Sequence, residues 1–305
     1  MMKKVIVTGA TSFLGKNVIR RLLKEDYYVI AYARRDCQEF EEWKHLQNFR
    51  IIFGSLSNMA IMKEQVCSAD YFIHFAWDGS GNVGRADHNI QFQNIEYSMQ
   101  ALQIANDLGC KYFIFPGSQA EYGKIDSEIY EYMECHPISE YGKAKLEFAT
   151  KANELCKDKG IAFIHLRIFS VYGFGDKEGT LVDTCIKGFN SGNRFTIGSC
   201  LQKWNYLYID DFSLIIARIL SSNCKTGIYN IASNDTRVLR EFVNVIYNNS
   251  LKKIPCIYGE NANNPEGSPS IIPNIAKMEA LTGLKNLTPF QTGILETMQK
   301  MGYKV

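Results

Sequence analysis

Short, almost continuous apolar runs alternate with longer amphipathic stretches through the first two-thirds of the chain, and few folds accommodate that alternation. The runs are KVIVT (4–8), YVIAYA (28–33), RIIF (50–53), YFIHF (71–75), YFIF (112–115) and AFIHLRI (162–168). Runs without polar alternation suit parallel strands buried on both faces. Helical periodicity covers 13–25, 38–47, 58–67, 87–108 and 140–158 between them. The pattern predicts an α/β fold with a doubly wound parallel sheet. After residue 172 turn-rich segments (GFGDKEG, NSGNR, SNCKTG, NNPEGSPS) separate shorter elements. A chain of 305 residues has room for one large domain and a lobe. The expected division is 1–172 for the sheet domain and 173–305 mainly for a smaller C-terminal lobe, with segments of the lobe free to return to the sheet.

The segment KKVIVTGATSFLGKNVIRRLL (3–23) reads as strand, glycine turn and helix. A turn of this kind aims the free N–H groups of a helix start at a pyrophosphate, as in a Rossmann domain. Gly9 would supply the sharp turn, and Gly15 would let the helix pack close to the sheet. Ser12 stands between them, where a glycine is common. Its side chain narrows the approach of a phosphate, but its hydroxyl can donate to one. A strand precedes and an amphipathic helix follows, so the context for coenzyme binding is met; an ordinary βα turn is the bland alternative. The second strand ends at Ala33 and runs into Arg34, Arg35 and Asp36. A free ribose 2′-hydroxyl is matched by an acid there and a 2′-phosphate by arginine. Arg34 comes first, so the rule favours NADP over NAD, with a solvated basic pair as the plain reading.

Ser118 follows the fifth apolar run, at the carboxyl end of a parallel strand, where α/β sheets place ligands. Tyr141 and Lys145 lie four apart on the next helix and share a face. A lone Tyr-x-x-x-Lys is common on helix surfaces. With a nucleotide loop and a strand-end serine it describes a proton-transfer site. A free phenol has a pKa of about 10, and a nearby ammonium lowers it. Such a tyrosine can give a proton to a carbonyl oxygen or take one back. Ser118 would hold the same oxygen, and Lys145 could also hold the nicotinamide ribose.

Composition removes other classes. Lys plus Arg is 34 against 32 for Asp plus Glu, a net charge of +2, which gives no support to nucleic-acid binding. Nine cysteines without a C-x-x-C pair read as reduced thiols of a cytoplasmic protein, not as a disulfide frame or metal site. No apolar run reaches the 18 or so residues of a membrane span, and VIV in MMKKVIVTGA is too short for a signal-peptide core.

Several motifs, in order, resemble the extended short-chain dehydrogenase/reductases that act on nucleotide-sugars. TGATSFLG is similar to that family's TGATGFLG, HFAW (74–77) to H-x-A-A, and GSQAEYG to its serine motif; Asn94 stands where a helix Asn supports the active site. YGKAK resembles its tyrosine–lysine motif, LRIFSVYGFG (166–175) its LRxxNVYGPG, QKWNYLYIDD (202–211) its QxRDFVYVDD, and GIYNIAS (227–233) its GVYNIGS. The closing KMEALTGLKNLTPFQTGILETM (277–298) is similar to the family's last helices. The resemblance implies a coenzyme site of Gly9, Thr11, Ser12, Phe13, Leu14, Gly15, Arg34, Ala76, Tyr141 and Lys145. It implies catalysis by Ser118, Tyr141 and Lys145, no metal, and a C-terminal substrate-binding lobe. It further implies a homodimer joined by a four-helix bundle from 87–108 and 140–158.

Departures from the family pattern bear on substrate. Ser170 replaces an Asn that often touches substrate, and Trp204 replaces an Arg that commonly binds the diphosphate. The Arg expected near PEGSP (265–269) is absent. Arg194, Lys203 and Arg237 are the candidates to hold a diphosphate; otherwise the substrate is not a standard nucleotide-sugar. Gln119 and Ala120 occupy the places of a dehydratase Asp-Glu pair, and Ala120 the place of an epimerase Cys. Glu121 lies near the site in sequence, with a surface or capping role as the plain reading. The expected activity is NADPH-dependent reduction of a keto group on a nucleotide-linked (deoxy)sugar. The alternatives are an NAD-dependent 4-epimerase and a non-catalytic NAD(P)-binding regulator; the intact Ser118, Tyr141 and Lys145 weigh against the last.

Overall fold

The structure, a computed structural model, describes residues 2–81, 83–222, 224–259 and 270–304. Its first half runs β1 (Lys4–Thr8), α1 (Phe13–Lys24), β2 (Tyr28–Ala33), α2 (Gln38–Trp43), β3 (Phe49–Phe53), α3 (Ile61–Gln65), β4 (Tyr71–His74), α4 (His88–Asp107), β5 (Tyr112–Ser118), α5 (Glu140–Lys159) and β6 (Ala162–Ile168). Then come β7 (Ser170–Tyr172), α6 (Leu181–Ser191), β8 (Thr196–Ile197), β9 (Lys203–Tyr208), α7 (Ile209–Ser221), β10 (Gly227–Ile231), β11 (Thr236–Val238), α8 (Leu239–Asn249), β12 (Ile257–Tyr258), α9 (Ala276–Thr282) and α10 (Phe290–Lys300).

Seven strands form one parallel sheet in the order β10-β6-β5-β4-β1-β2-β3. The chain builds outward from β1 to β3, returns to β4, and builds the other way. The strand order therefore reverses between β1 and β4, the crevice where such sheets bind ligands. Val5, Val7, Ile73 and Ile114 belong to the core on one face of the sheet, and Ile6, Phe72 and Phe113 to that on the other. Burial on both faces is why these strands are continuously apolar. β10 comes from the C-terminal segment and pairs with β6. β11-β9-β7 and β12-β8 form two small sheets.

α1 buries Gly15, Val18, Ile19 and Leu22 on one stripe and lies against α7. The helices read at 38–47 and 58–67 are shorter than expected. α2 stops at Trp43 because Phe40 and Trp43 complete its buried face, and the chain then turns to feed β3. The second segment divides into a 3₁₀ turn at Leu56–Asn58 and α3, with Leu56, Met59 and Met62 buried along it. All nine cysteines are free. No helix among the described residues is long and apolar enough to cross a membrane.

Candidate active site

The turn after β1 fits a dinucleotide. Gly9 has φ +64°, the left-handed region that glycine enters without penalty. A Cβ there would lie 2.6 Å from the Ala76 nitrogen, and one on Gly15 would strike the Gly9 carbonyl. Ser12 is the N-cap of α1, and its Oγ accepts from the Gly15 amide at 3.0 Å. The Ser12 carbonyl accepts from Lys16. First-turn donors left for an anion are thus the amides of Phe13 and Leu14, with half-buried Thr11 beside them. Ser12 keeps its hydroxyl hydrogen as a further donor, so the replaced glycine costs approach but adds a helix cap.

Behind the turn lies a buried polar chain. Ala76 N–H donates to Thr8 Oγ1 (3.3 Å), which is 2.8 Å from His74 Nδ1, and His74 Nε2 is 3.1 Å from Ser98 Oγ. Complete burial, with Lys145 adding to it, pushes the His74 pKa down to about 3. The imidazole is therefore neutral, and the chain ties β1, β4 and α4 at the point where the sheet divides. Asn94 clamps the loop beyond β4 by accepting from Asp78 N and donating to Asp78 O, both at 2.9 Å. The Asp78 carboxylate meets exposed Arg34 at 3.3 Å, so the arginine read as a phosphate ligand already faces an acid.

Across the crevice, Lys145 is 4% exposed and donates to the Pro116 carbonyl at 2.8 Å. Its ammonium lies 3.7 Å from the centre of the Trp77 ring and 5.6 Å from that of Tyr141. Burial lowers its pKa to about 7; Glu121 opposes the fall and Arg85 adds to it. The Arg85 guanidinium lies over the Tyr141 ring at 4.3 Å, so two basic groups lie close to the phenol ring. Trp77 packs edge-on against Tyr141 and is fixed through Nε1–H to Gln91, whose amide donates to the carbonyls of Gly79 and Gly84. Ser118 Oγ accepts from Ala120 N, which leaves its own hydrogen to donate. Nothing in the sequence singled out Arg85, and Trp77 shows there only as the last residue of HFAW, where the resembled motif is H-x-A-A.

Glu121, read as a surface or capping residue, is fully buried in the structure. It caps the turn after β5 by accepting from Ser118 N at 2.7 Å, and it also meets His165 (2.9 Å) and Arg167 (3.2 Å). Burial alone would raise its pKa; His165, Arg167 and the Ser118 amide together hold it below the ordinary carboxylate value. A Cβ on Gly117 would collide with both Glu121 and His165. Gly117→Ala is therefore expected to cost about 1–3 kcal/mol, typical of overpacking, measured as a fall in the denaturant midpoint.

The substrate-side candidates separate. Ser170 opens β7 opposite Tyr206 of β9. Trp204 packs on the main core, and its Nε1 is buried without a partner among the described residues. Arg237 on β11 is its cross-strand partner and forks onto Asp235. Lys203 is exposed on the same small sheet and pairs with Val238. Arg194 is exposed ahead of β8, on the other small sheet. PEGSP lies outside the described residues.

The family model described as "NAD dependent epimerase/dehydratase family" matches residues 5–232. CDP-abequose synthase of Salmonella muenchen is 27% identical over 237 residues, 75% of this chain and 74% of the relative. GDP-mannose 3,5-epimerase 1 of Oryza sativa subsp. indica is 24% identical over 267 residues, 83% of this chain and 70% of the relative. The solved structure of MoeE5 in complex with UDP-glucuronic acid and NAD is similar with a TM-score of 0.88 over 98% of this chain and 99% of that one; at 19% identity this likeness speaks for the fold. The family match runs from β1 through the glycine turn, Ser118, Tyr141 and Lys145 to the end of β10, and the chain belongs to the NAD dependent epimerase/dehydratase family, enzymes of the extended short-chain dehydrogenase/reductase type.

Proposed function

We propose that this enzyme reduces a keto group on a nucleotide-linked deoxysugar, with NADPH as the coenzyme. The observation that carries the reading is the Tyr141 ring with Arg85 and Lys145 both close to it, Lys145 being held on the β5 strand that ends at Ser118. Gly9, Thr11, Ser12, Phe13, Leu14, Gly15 and Ala76 would hold the coenzyme, with Arg34 on its ribose phosphate. The bound coenzyme supplies the hydride. Tyr141 gives its proton to the carbonyl oxygen as that oxygen becomes a hydroxyl. Lys145 and Arg85 stabilise the phenolate left behind, and Ser118 donates its hydroxyl hydrogen to the same oxygen. Gln119 and Ala120, in the places of a dehydratase's acids, supply no carboxyl for elimination. Arg237 stands cross-strand from Trp204, the position of the family's diphosphate-binding Arg.

NAD-dependent 4-epimerisation is the second reading. Asp78 beside Arg34 favours it, because an acid in that part of the site suits a free ribose hydroxyl. Titration of both reduced coenzymes by fluorescence separates the two. NADPH is expected to bind tighter, and Arg34→Ala to weaken NADPH about tenfold with little effect on NADH, the loss of roughly one charge-assisted hydrogen bond. Equal affinities, or tighter NADH, would remove the argument for a reductase.

We further propose a homodimer through α4 and α5. These helices pack against each other, and α4 carries the exposed apolar side chains Ile90 and Phe92. Light scattering is expected to give twice the chain mass at micromolar concentration; a stable monomer would contradict the pairing.

A further inference from the structure

Glu121 presents a problem of cost. A fully buried carboxylate is unfavourable unless it is paired and hydrogen-bonded, and apolar residues of similar volume often serve a core as well as a buried ion pair does. Here one carboxylate meets two basic side chains of β6, His165 and Arg167, which lie two residues apart and so point to the same side of the strand. Gly117 has no side chain where one would block the cluster. The third group on the carboxylate is the main-chain N–H of Ser118, while the Ser118 hydroxyl closes the reciprocal half of the capping box. The carboxylate thus holds the serine through its main chain and leaves the hydroxyl hydrogen uncommitted to it.

The end of β5 also links the cluster to Lys145. Pro116, two residues before Ser118, holds that ammonium through its carbonyl. The charged and titratable groups around Lys145 are Glu121 from the β5 end, Arg85 from the β4–α4 connection, Tyr141 from α5 and His74 from β4. His74 is neutral above pH of about 3, and Arg85 disfavours the ammonium. Glu121 is the group whose charge favours it.

We infer that Glu121 is a positioning residue for the reaction: held by His165 and Arg167, it fixes the main chain under Ser118, and its negative charge acts on Lys145, which the same strand end holds through Pro116. The inference rests on the Tyr141–Lys145–Ser118 reading of catalysis. Its first test does not depend on turnover. Trp77 lies directly against the Lys145 ammonium, so its emission reports the charge of that group, with Trp77→Phe as the blank for Trp43 and Trp204. Wild type is expected to show a transition near pH of about 7, and Glu121→Gln to move it about one unit lower, as for loss of a nearby opposite charge. An unchanged midpoint would overturn the electrostatic half of the inference.

The second test is a double-mutant cycle. Glu121→Gln and Ser118→Ala should each lower kcat with KM little changed, Ser118→Ala by about 10²-fold, and the double variant should lose less than the product of the two. Strict additivity, or a loss of thermal stability with neither midpoint nor coupling altered, would reduce Glu121 to a fold-holding role. Should Glu121→Gln fail to fold, Glu121→Asp retains the charge and withdraws the reach: the emission midpoint should hold while kcat falls, and normal kcat would overturn the inference. A wild type that turns over no nucleotide-sugar would defeat the functional reading, and the emission titration would still decide whether Glu121 acts on Lys145.

Discussion

Tyr141→Phe is expected to lower kcat by about 10³-fold, within the range for loss of a positioned proton donor, while coenzyme affinity stays nearly unchanged. The substitution deletes one hydroxyl. The ring remains, with the Arg85 guanidinium above it and the Trp77 edge beside it, so the packing around the coenzyme site is retained. Steady-state turnover with a nucleotide-linked keto-sugar, together with coenzyme titration by fluorescence, separates the two effects. A variant with near-normal kcat would remove Tyr141 from the chemistry and leave only the coenzyme fold.

Lys145→Met should damage both turnover and coenzyme affinity, because the ammonium supports the phenolate and is the group expected at the nicotinamide ribose. The pH dependence of stability gives an independent reading. Burial lowers the Lys145 pKa from 10.5 to about 7. Between those values the unfolded chain keeps a proton that the folded chain gives up, so this group makes stability rise with pH across that window. Below it, the folded protein carries the full cost of a buried ammonium. Denaturation of wild type and Lys145→Met from pH 6 to 10 should show the wild-type rise flattened in the variant, with the variant gaining most at the acid end. Parallel curves would mean that Lys145 is solvated in solution.

The six apolar runs became six strands of the main sheet, and the two longest helical patterns became α4 and α5 within a residue or so at each end. These features are local: strand burial, helix period and capping are written in neighbouring residues. Gly9 and Gly15 were legible for the same reason, since a sharp turn and a close helix leave few other residues possible. Tyr141 and Lys145 were legible because a four-residue spacing places two side chains on one face of any helix. Breaks at Trp43 and between Asn58 and Ile61 were not, because those helices end where their buried faces are complete, and that depends on the strands beside them.

The capping role of Glu121 was legible, but its burial was hidden for a related reason. In sequence it follows a turn and looks like a cap. His165 and Arg167, which make it a buried charge, stand more than 40 residues away and arrive only through the β5–β6 pairing. The environment of Lys145 was equally hidden, since Trp77 and Arg85 come from the loop after β4 and reach α5 only because β4 lies beside β5. The same holds for Arg237 opposite Trp204, a pairing set by the β9–β11 register. Short spacings along one chain set the α/β architecture, the sharp glycine turn after β1 and the shared helix face of Tyr141 and Lys145. Tertiary structure alone decided the electrostatics of that pair and the support of Ser118, because charges act through space on groups that the order of the strands, not of the residues, brings together.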